Sequence, residues 1–228
     1  LSRFATTIAV AYENMERFFP QKKIVLTGNP VRSSLIQSKL EVEKNKKNSP
    51  LNKISLNILV LGGSLGSEKI NEVISNNLLF FNKNKVKVIW QCGINYYERY
   101  KAFENKFVKI FPFLEQINKF YNECDIVISR AGALTISELC IVGKPSILIP
   151  SPNVSENHQF YNAKYLLDRK AAIVIEEKKI NNEFLIHLQK LLASKEIRTQ
   201  LSTAIYKLAK PNATKEIVLR INNILANG

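Results

Sequence analysis

Three short stretches hold the residues best suited to chemistry. The first is Ser129-Arg130-Ala131-Gly132-Ala133-Leu134-Thr135-Ile136-Ser137-Glu138, which follows the apolar run Asp125-Ile126-Val127-Ile128 and opens a periodic apolar run to Val142. A strand handing over to a helix through small residues leaves the N–H groups of the first helical turn without intrahelical partners, a setting that suits an anion such as a diphosphate. Glu138 lies one turn further in, where its carboxylate could accept hydrogen bonds from sugar hydroxyls. The second stretch, Gly62-Gly63-Ser64-Leu65-Gly66-Ser67, is another small-residue turn between the strand-like run Leu56–Leu61 and a helical run. Its glycines fit either tight packing or close approach of a phosphate. The third, Pro150-Ser151-Pro152-Asn153-Val154-Ser155-Glu156-Asn157-His158-Gln159, leads from a strand into a helix, with Ser155 as the expected cap. His158 and Gln159 in its first turn suit sugar hydroxyls, or are plain surface polar groups.

Several chemistries are disfavoured. No G-K-[ST] follows the glycine turn, so it is not a Walker loop. Leu61 occupies the first glycine position of a dinucleotide fingerprint, and the next strand ends Trp90-Gln91-Cys92-Gly93 without a carboxylate for a ribose, which argues against an oxidoreductase. Asp125 and Asp168 are the only aspartates, so no Asp-x-Asp metal clamp exists, and His158 and His187 are far apart. A departing diphosphate would have to be stabilised by helix N-termini and arginine, with Arg32 and Arg130 as candidates unless both are ordinary solvated arginines.

The elements that must position these residues alternate regularly. Strands are expected at Leu56–Leu61, Val86–Gln91, Val108–Phe111, Asp125–Ser129, Ser146–Pro150 and Ala172–Ile175. Helices are expected at Ser67–Asn77, Tyr96–Asn105, Gln116–Asn122, Leu134–Val142, Glu156–Asp168 and Asn182–Leu192, with two more near Lys195–Ala209 and Ala213–Ala226. The pattern predicts an α/β fold with a doubly wound parallel sheet and right-handed crossovers. Ala5–Tyr12 and Lys23–Leu26 are short β-like runs, Gly28-Asn29-Pro30 is a turn, and the polar stretch Leu40–Ile54 is expected to be a loop or linker.

The chain has 228 residues, 46% of them hydrophobic, and a formal net charge of +14. It starts at Leu1 and its single methionine is Met15, so it is expected to be part of a longer protein. No apolar run approaches the roughly 18 residues of a membrane span, and Arg3, Glu13, Glu16 and Arg17 interrupt any signal-peptide core. Cys92, Cys124 and Cys140 form no C-x-x-C pair and are expected to be reduced and buried. The basic residues are dispersed rather than clustered with aromatics, which favours attraction to an anionic membrane surface over nucleic acid.

In order and spacing, Thr27-Gly28-Asn29-Pro30-Val31-Arg32, the Gly62–Ser67 turn, the Ser129–Glu138 stretch and Glu156-Asn157-His158-Gln159 with Asn162-Ala163 resemble the MurG family. That family comprises the peptidoglycan transferases that convert lipid I to lipid II, a step serving cell-wall synthesis, cell shape and division. The resemblance implies a GT-B fold of two Rossmann-like domains, of which this chain holds the carboxyl-terminal one. Residues 1–28 would be the tail of the amino-terminal acceptor domain, 29–210 the donor-binding domain and 211–228 a closing helix. Arg32 and Ser64 would contact the diphosphate of UDP-N-acetylglucosamine, Leu114 the uracil, and Ala133, Leu134 and Thr135 the nucleotide and phosphate. Glu138 would bind the ribose, and Gln159 with His158 the N-acetylglucosamine. The reaction would invert the anomeric centre as the muramyl 4-hydroxyl of lipid I displaces UDP, with no metal or other cofactor. The base is expected in the amino-terminal domain, so this chain alone should not turn over. The expected site of action is the cytoplasmic face of the bacterial plasma membrane, peripherally bound. Two alternatives are another GT-B UDP-sugar transferase with a lipid acceptor, which the Asn29–Arg32 turn and Gln159 disfavour, and a basic nucleic-acid-binding module.

Overall fold

The computed structural model describes residues 4–13, 15–16, 18–45, 55–154 and 157–226. The expected cap Ser155, Glu156 beside it, and positions 46–54 of the polar stretch lie outside the described residues.

Six parallel strands form the main sheet: β3 (Asn57–Leu61), β4 (Lys87–Gln91), β5 (Val108–Phe111), β6 (Ile126–Ser129), β7 (Ser146–Leu148) and β8 (Ile173–Val174). Their order is β5-β4-β3-β6-β7-β8. The chain thus winds outward from β3 through β5, then returns to lay β6 on the other side of β3. This is the doubly wound arrangement, and its switch point falls between the carboxyl ends of β3 and β6. The register pairs Leu61 with Ser129 there. The Gly62–Ser67 and Arg130–Gly132 turns are therefore placed side by side by topology.

The near-continuous apolar strands follow from burial on both faces. Alternate residues of β3 divide between two cores. Ile58 and Val60 join Val88, Trp90, Phe81 and Phe184 on one face. Leu59 and Leu61 join Val127, Tyr121, Ile136 and Leu166 on the other. The first face is covered by α2 (Glu68–Asn76), α3 (Leu78–Lys83) and α8 (Ile180–Ala193), the second by α1 (Ser33–Asn45), α5 (Ile117–Glu123), α6 (Ala133–Val142) and α7 (His158–Asp168). Between β4 and β5 lies the short α4 (Tyr97–Tyr100), and α9 (Lys195–Tyr206) and α10 (Ala213–Ala226) complete the chain. No described helix is long and apolar enough to cross a membrane.

Three expectations are corrected. Helix α1 runs through Asn45, so the polar stretch from Leu40 begins as helix and not as a loop. Its amino half is docked by Leu35, which is fully buried, and by Lys39, whose Nζ donates to the carbonyl of Val142 at 3.0 Å. Helix α3 was not anticipated. Asn77 interrupts the preceding helix, donating its N–H to the carbonyl of Ile74, and Phe81 then inserts into the core. The expected helix Tyr96–Asn105 is one α-turn followed by a 3-10 turn, Lys101–Phe103. Asn105 ends it by accepting from the N–H groups of Phe107 and Val108.

Preceding the main sheet, β1 (Ile8–Val10) and β2 (Ile24–Leu26) pair in parallel as a separate two-stranded sheet. Tyr12, just after β1, donates its hydroxyl to the carbonyl of Ala133 at 3.0 Å, and its ring meets that of Tyr165 at a tilt of 50° with centroids 5.2 Å apart. Asn29 donates to Ser137 Oγ at 3.1 Å, tying the Gly28-Asn29-Pro30 turn to the start of α6.

Candidate functional site

At the switch point the structure opens a hollow of about 530 Å3, part of it open to solvent, lined among others by Arg32, Gly63, Gln91, Phe113, Leu114, Arg130, Thr135 and Glu138. Such a cleft at the carboxyl edge of an open parallel sheet is where this architecture binds ligands.

The glycine turn has two functions, divided between its residues. A Cβ on Gly66 (φ +93°) would come within 2.3 Å of the Cys92 carbonyl oxygen, and one on Gly93 within 2.2 Å of Gly66 itself. Those two glycines let two strand-end turns touch backbone to backbone. Gly63 (φ +88°) differs: a Cβ there would meet nothing within 4 Å. Gly63 therefore presents no side chain to the hollow it lines, while adopting a left-handed conformation that side-chain-bearing residues resist. Ser64 follows it, exposed.

Opposite, Gly132 caps α6 without a side-chain hydrogen bond of its own. The first-turn N–H groups of Ala133, Leu134 and Thr135 have no intrahelical acceptors and stand at the positive end of a helix of 10 residues. Leu134 is half exposed, and Thr135 lines the hollow.

Glu138 sits deeper. Its side chain is 9% exposed, and its Oε1 lies 3.5 Å from Arg32 Nε without a hydrogen-bond partner. Its Oε2 accepts from the hydroxyl of Tyr121 at 3.4 Å. Burial raises the carboxyl above its ordinary pKa, and Arg32 and the Tyr121 hydroxyl oppose that shift without cancelling it. Burial also holds the Tyr121 phenol well above its ordinary value, with the Glu138 charge adding to the effect. A buried acceptor left unsatisfied costs about 1–3 kcal/mol, a cost that a hydroxyl-bearing ligand entering the hollow relieves.

Of the two candidate arginines, Arg32 keeps about half of its side chain open to solvent beside Glu138. Arg130 lines the hollow, but its Nη1 lies 2.5 Å from Glu177 Oε2 and donates to the Ile149 carbonyl at 3.2 Å. Its guanidinium fastens the end of β6 to the turn after β8, and its charge is already matched.

Leu114 is buried against the hollow, with its N–H donated to Gln91 Oε1 at 3.0 Å. Gln159 accepts from the N–H groups of Ser151 (2.9 Å) and Ala131 (3.3 Å) through its Oε1, and Asn162 donates to the Ala131 carbonyl at 3.1 Å. Gln159 thus braces the Arg130–Gly132 turn. His158 opens α7, exposed, and is not among the residues lining the hollow. The structure therefore brings Arg32, Leu114, Thr135 and Glu138 into one hollow, sets Ser64, Ala133 and Leu134 next to its lining residues, and holds Gln159 against the adjoining turn.

Sequence reasoning missed Gln91, Phe113 and Tyr121. Gln91 ends its strand without the carboxylate a dinucleotide site needs, yet a glutamine ending a buried strand is itself a signal. Phe113 lies next to Leu114, half exposed, and offers an aromatic face. Tyr121 is part of a helix whose apolar pattern concealed its hydroxyl. Among the described residues no three His, Cys, Asp or Glu side chains gather as a metal cluster.

Comparison with known proteins accords with this geometry. A curated N-acetylglucosaminyltransferase of Flavobacterium psychrophilum, named for transfer from UDP-N-acetylglucosamine to N-acetylmuramyl-(pentapeptide) pyrophosphoryl-undecaprenol, is 45% identical over 224 residues, covering 96% of this chain. Its namesake in Christiangramia forsetii is 39% identical over 227 residues, covering 100% of this chain. The crystal structure of Acinetobacter baumannii MurG superposes with a TM-score of 0.75 at 27% identity, covering 97% of this chain and 61% of that one. The chain spans about 60% of the length of these relatives. Its fold is that of the GT-B glycosyltransferases. Residues 57–217 match the model of the glycosyltransferase family 28 C-terminal domain, and the chain belongs to that family.

Proposed function

We propose that the chain is the donor-binding part of an inverting transferase that moves N-acetylglucosamine from UDP-N-acetylglucosamine to the muramyl 4-hydroxyl of lipid I, making lipid II for peptidoglycan. The observation that carries this is the Glu138 carboxylate. It is buried at the switch point with one oxygen unpartnered, flanked by the solvent-facing guanidinium of Arg32 and an uncapped helix N-terminus. Ribose hydroxyls satisfy the carboxylate, and the diphosphate takes Arg32, the bare Gly63 peptide and the first-turn amides of α6. The exposed Phe113 face and the Leu114 side chain receive uracil. Gln159 and His158 meet the sugar beyond the phosphates.

With arginine and peptide dipoles opposing the diphosphate charge, no divalent metal is needed for the donor to bind or for UDP to leave. Residues 1–28 belong to the neighbouring acceptor domain, which brings lipid I and the general base. Residues 29–210 form the donor domain, and the terminal helix follows it. A net charge of +14 favours peripheral attachment to the anionic cytoplasmic face of the bacterial plasma membrane.

Two measurements test the reading. Calorimetry of this chain should show UDP and UDP-N-acetylglucosamine binding with chelator present, and single-stranded DNA binding only in a salt-sensitive, sequence-blind way. The complete gene product should transfer labelled N-acetylglucosamine to a lipid I analogue. Transfer to diacylglycerol instead would replace the acceptor assignment.

A further inference from the structure

Gln91 closes β4 next to β3, almost wholly buried, and its carboxamide spans two loops. Its Nε2 donates to the Gly63 carbonyl at 3.0 Å. Its Oε1 accepts from the Leu114 N–H at 3.0 Å. These partners fix which end of the amide is nitrogen, since a carbonyl can only accept and an N–H only donate. The backbone of Gln91 also holds the turn, its carbonyl accepting from the Gly62 N–H at 3.1 Å. Gly63 lies on the side of the hollow assigned to the diphosphate, and Leu114 on the side assigned to the base.

We propose that Gln91 is a positioning residue that sets the distance between the diphosphate turn and the base loop, so that nucleoside and diphosphate are held as one ligand. The proposal rests on the reading that the hollow takes a nucleoside diphosphate. It assigns Gln91 no contact with the reacting atoms. A ligand that bridges both loops gains from their fixed separation, whereas a fragment occupying one side does not. A glutamine that merely satisfied buried polar groups would affect the three ligands alike, through the folded fraction.

The test is binding of UDP, uridine and inorganic pyrophosphate to the unaltered chain, Gln91→Met and Gln91→Glu, followed by ligand-observed NMR with melting curves as the fold control. In Gln91→Met, UDP affinity should fall about tenfold, the loss expected for two neutral hydrogen bonds. Uridine and pyrophosphate should each stay within about threefold. Gln91→Glu keeps the acceptor for Leu114 but turns a carboxylate oxygen towards the Gly63 carbonyl. It should spare uridine while weakening pyrophosphate and UDP, and it carries the test if Gln91→Met does not fold. Equal losses for all three ligands in both variants, or UDP affinity unchanged in both, would overturn the proposal. Failure of the unaltered chain to bind UDP would overturn the underlying reading as well, and is distinguished by appearing without any substitution.

Discussion

Arg32 Nε and Glu138 Oε1 face each other at 3.5 Å, yet the arginine side chain is 52% exposed and the glutamate 9%. The pair is lopsided. The guanidinium keeps much of its hydration, while the carboxylate has given up its own without gaining a hydrogen bond at Oε1. On the proposed reading, the guanidinium takes phosphate and the carboxylate takes hydroxyls.

Glu138→Gln should weaken UDP by about 1–3 kcal/mol, through loss of charge-assisted hydrogen bonds to the ribose. Titration calorimetry checks this, and deoxyuridine analogues should lose the difference between variant and unaltered chain.

The same substitution should make the unliganded chain more stable at neutral pH. Burial raises the Glu138 pKa above its ordinary 4.5, so the folded state binds the proton more tightly than the unfolded one. Stability from this group is complete below 4.5 and is lost as pH rises through the folded-state value. Denaturant midpoints should therefore favour Glu138→Gln above that window and converge with the unaltered chain below it. UDP affinity should run the other way, falling on acidification as the acceptor is protonated.

Arg32→Ala should cost UDP about 1.5–3 kcal/mol, as for a charged hydrogen bond, with a smaller loss of folding stability, about 1 kcal/mol, because the arginine is 52% exposed although Glu138 loses its countercharge. Arg130→Ala should show the reverse balance. Its pair with Glu177 is 17% and 16% exposed, so leaving Glu177 unmatched should cost about 2–3 kcal/mol of stability. Parallel melting and binding measurements on the two variants separate these assignments.

The glycine turn yields a matched pair of substitutions. Gly66→Ala drives a Cβ into the Cys92 carbonyl at 2.3 Å and should destabilise the chain by about 2–4 kcal/mol. Gly63→Ala meets nothing within 4 Å, so its folding penalty should be only the about 1–2 kcal/mol of left-handed strain. Its methyl group should instead obstruct the diphosphate, lowering UDP affinity in a protein that still melts cooperatively.

Much of this was legible in the sequence for definite reasons. The central strands β3, β6 and β7 stand out because burial on both faces makes them mostly apolar, and the turns after β3 and β6 stand out because small residues are needed there. Their adjacency follows from the strand order alone. The resemblance of four motifs to the MurG family is matched by relatives bearing that activity in their names. What escaped notice depended on contacts between residues distant in sequence. Leu35 and Lys39 dock α1 just ahead of Leu40, where composition suggested that a loop begins. Glu177, 47 positions after Arg130, removes that arginine from the pool of phosphate ligands, and no local pattern announces it. Gln91 gains its meaning from Gly63 and Leu114.

Titration of the isotopically labelled chain with UDP, read at each backbone amide, tests the central claim most directly. The account predicts saturable shifts concentrated at Gly63, Ser64, Leu114, Leu134 and Thr135, present with chelator and diminished in Glu138→Gln. Saturable shifts centred elsewhere, or none at these amides, would contradict it.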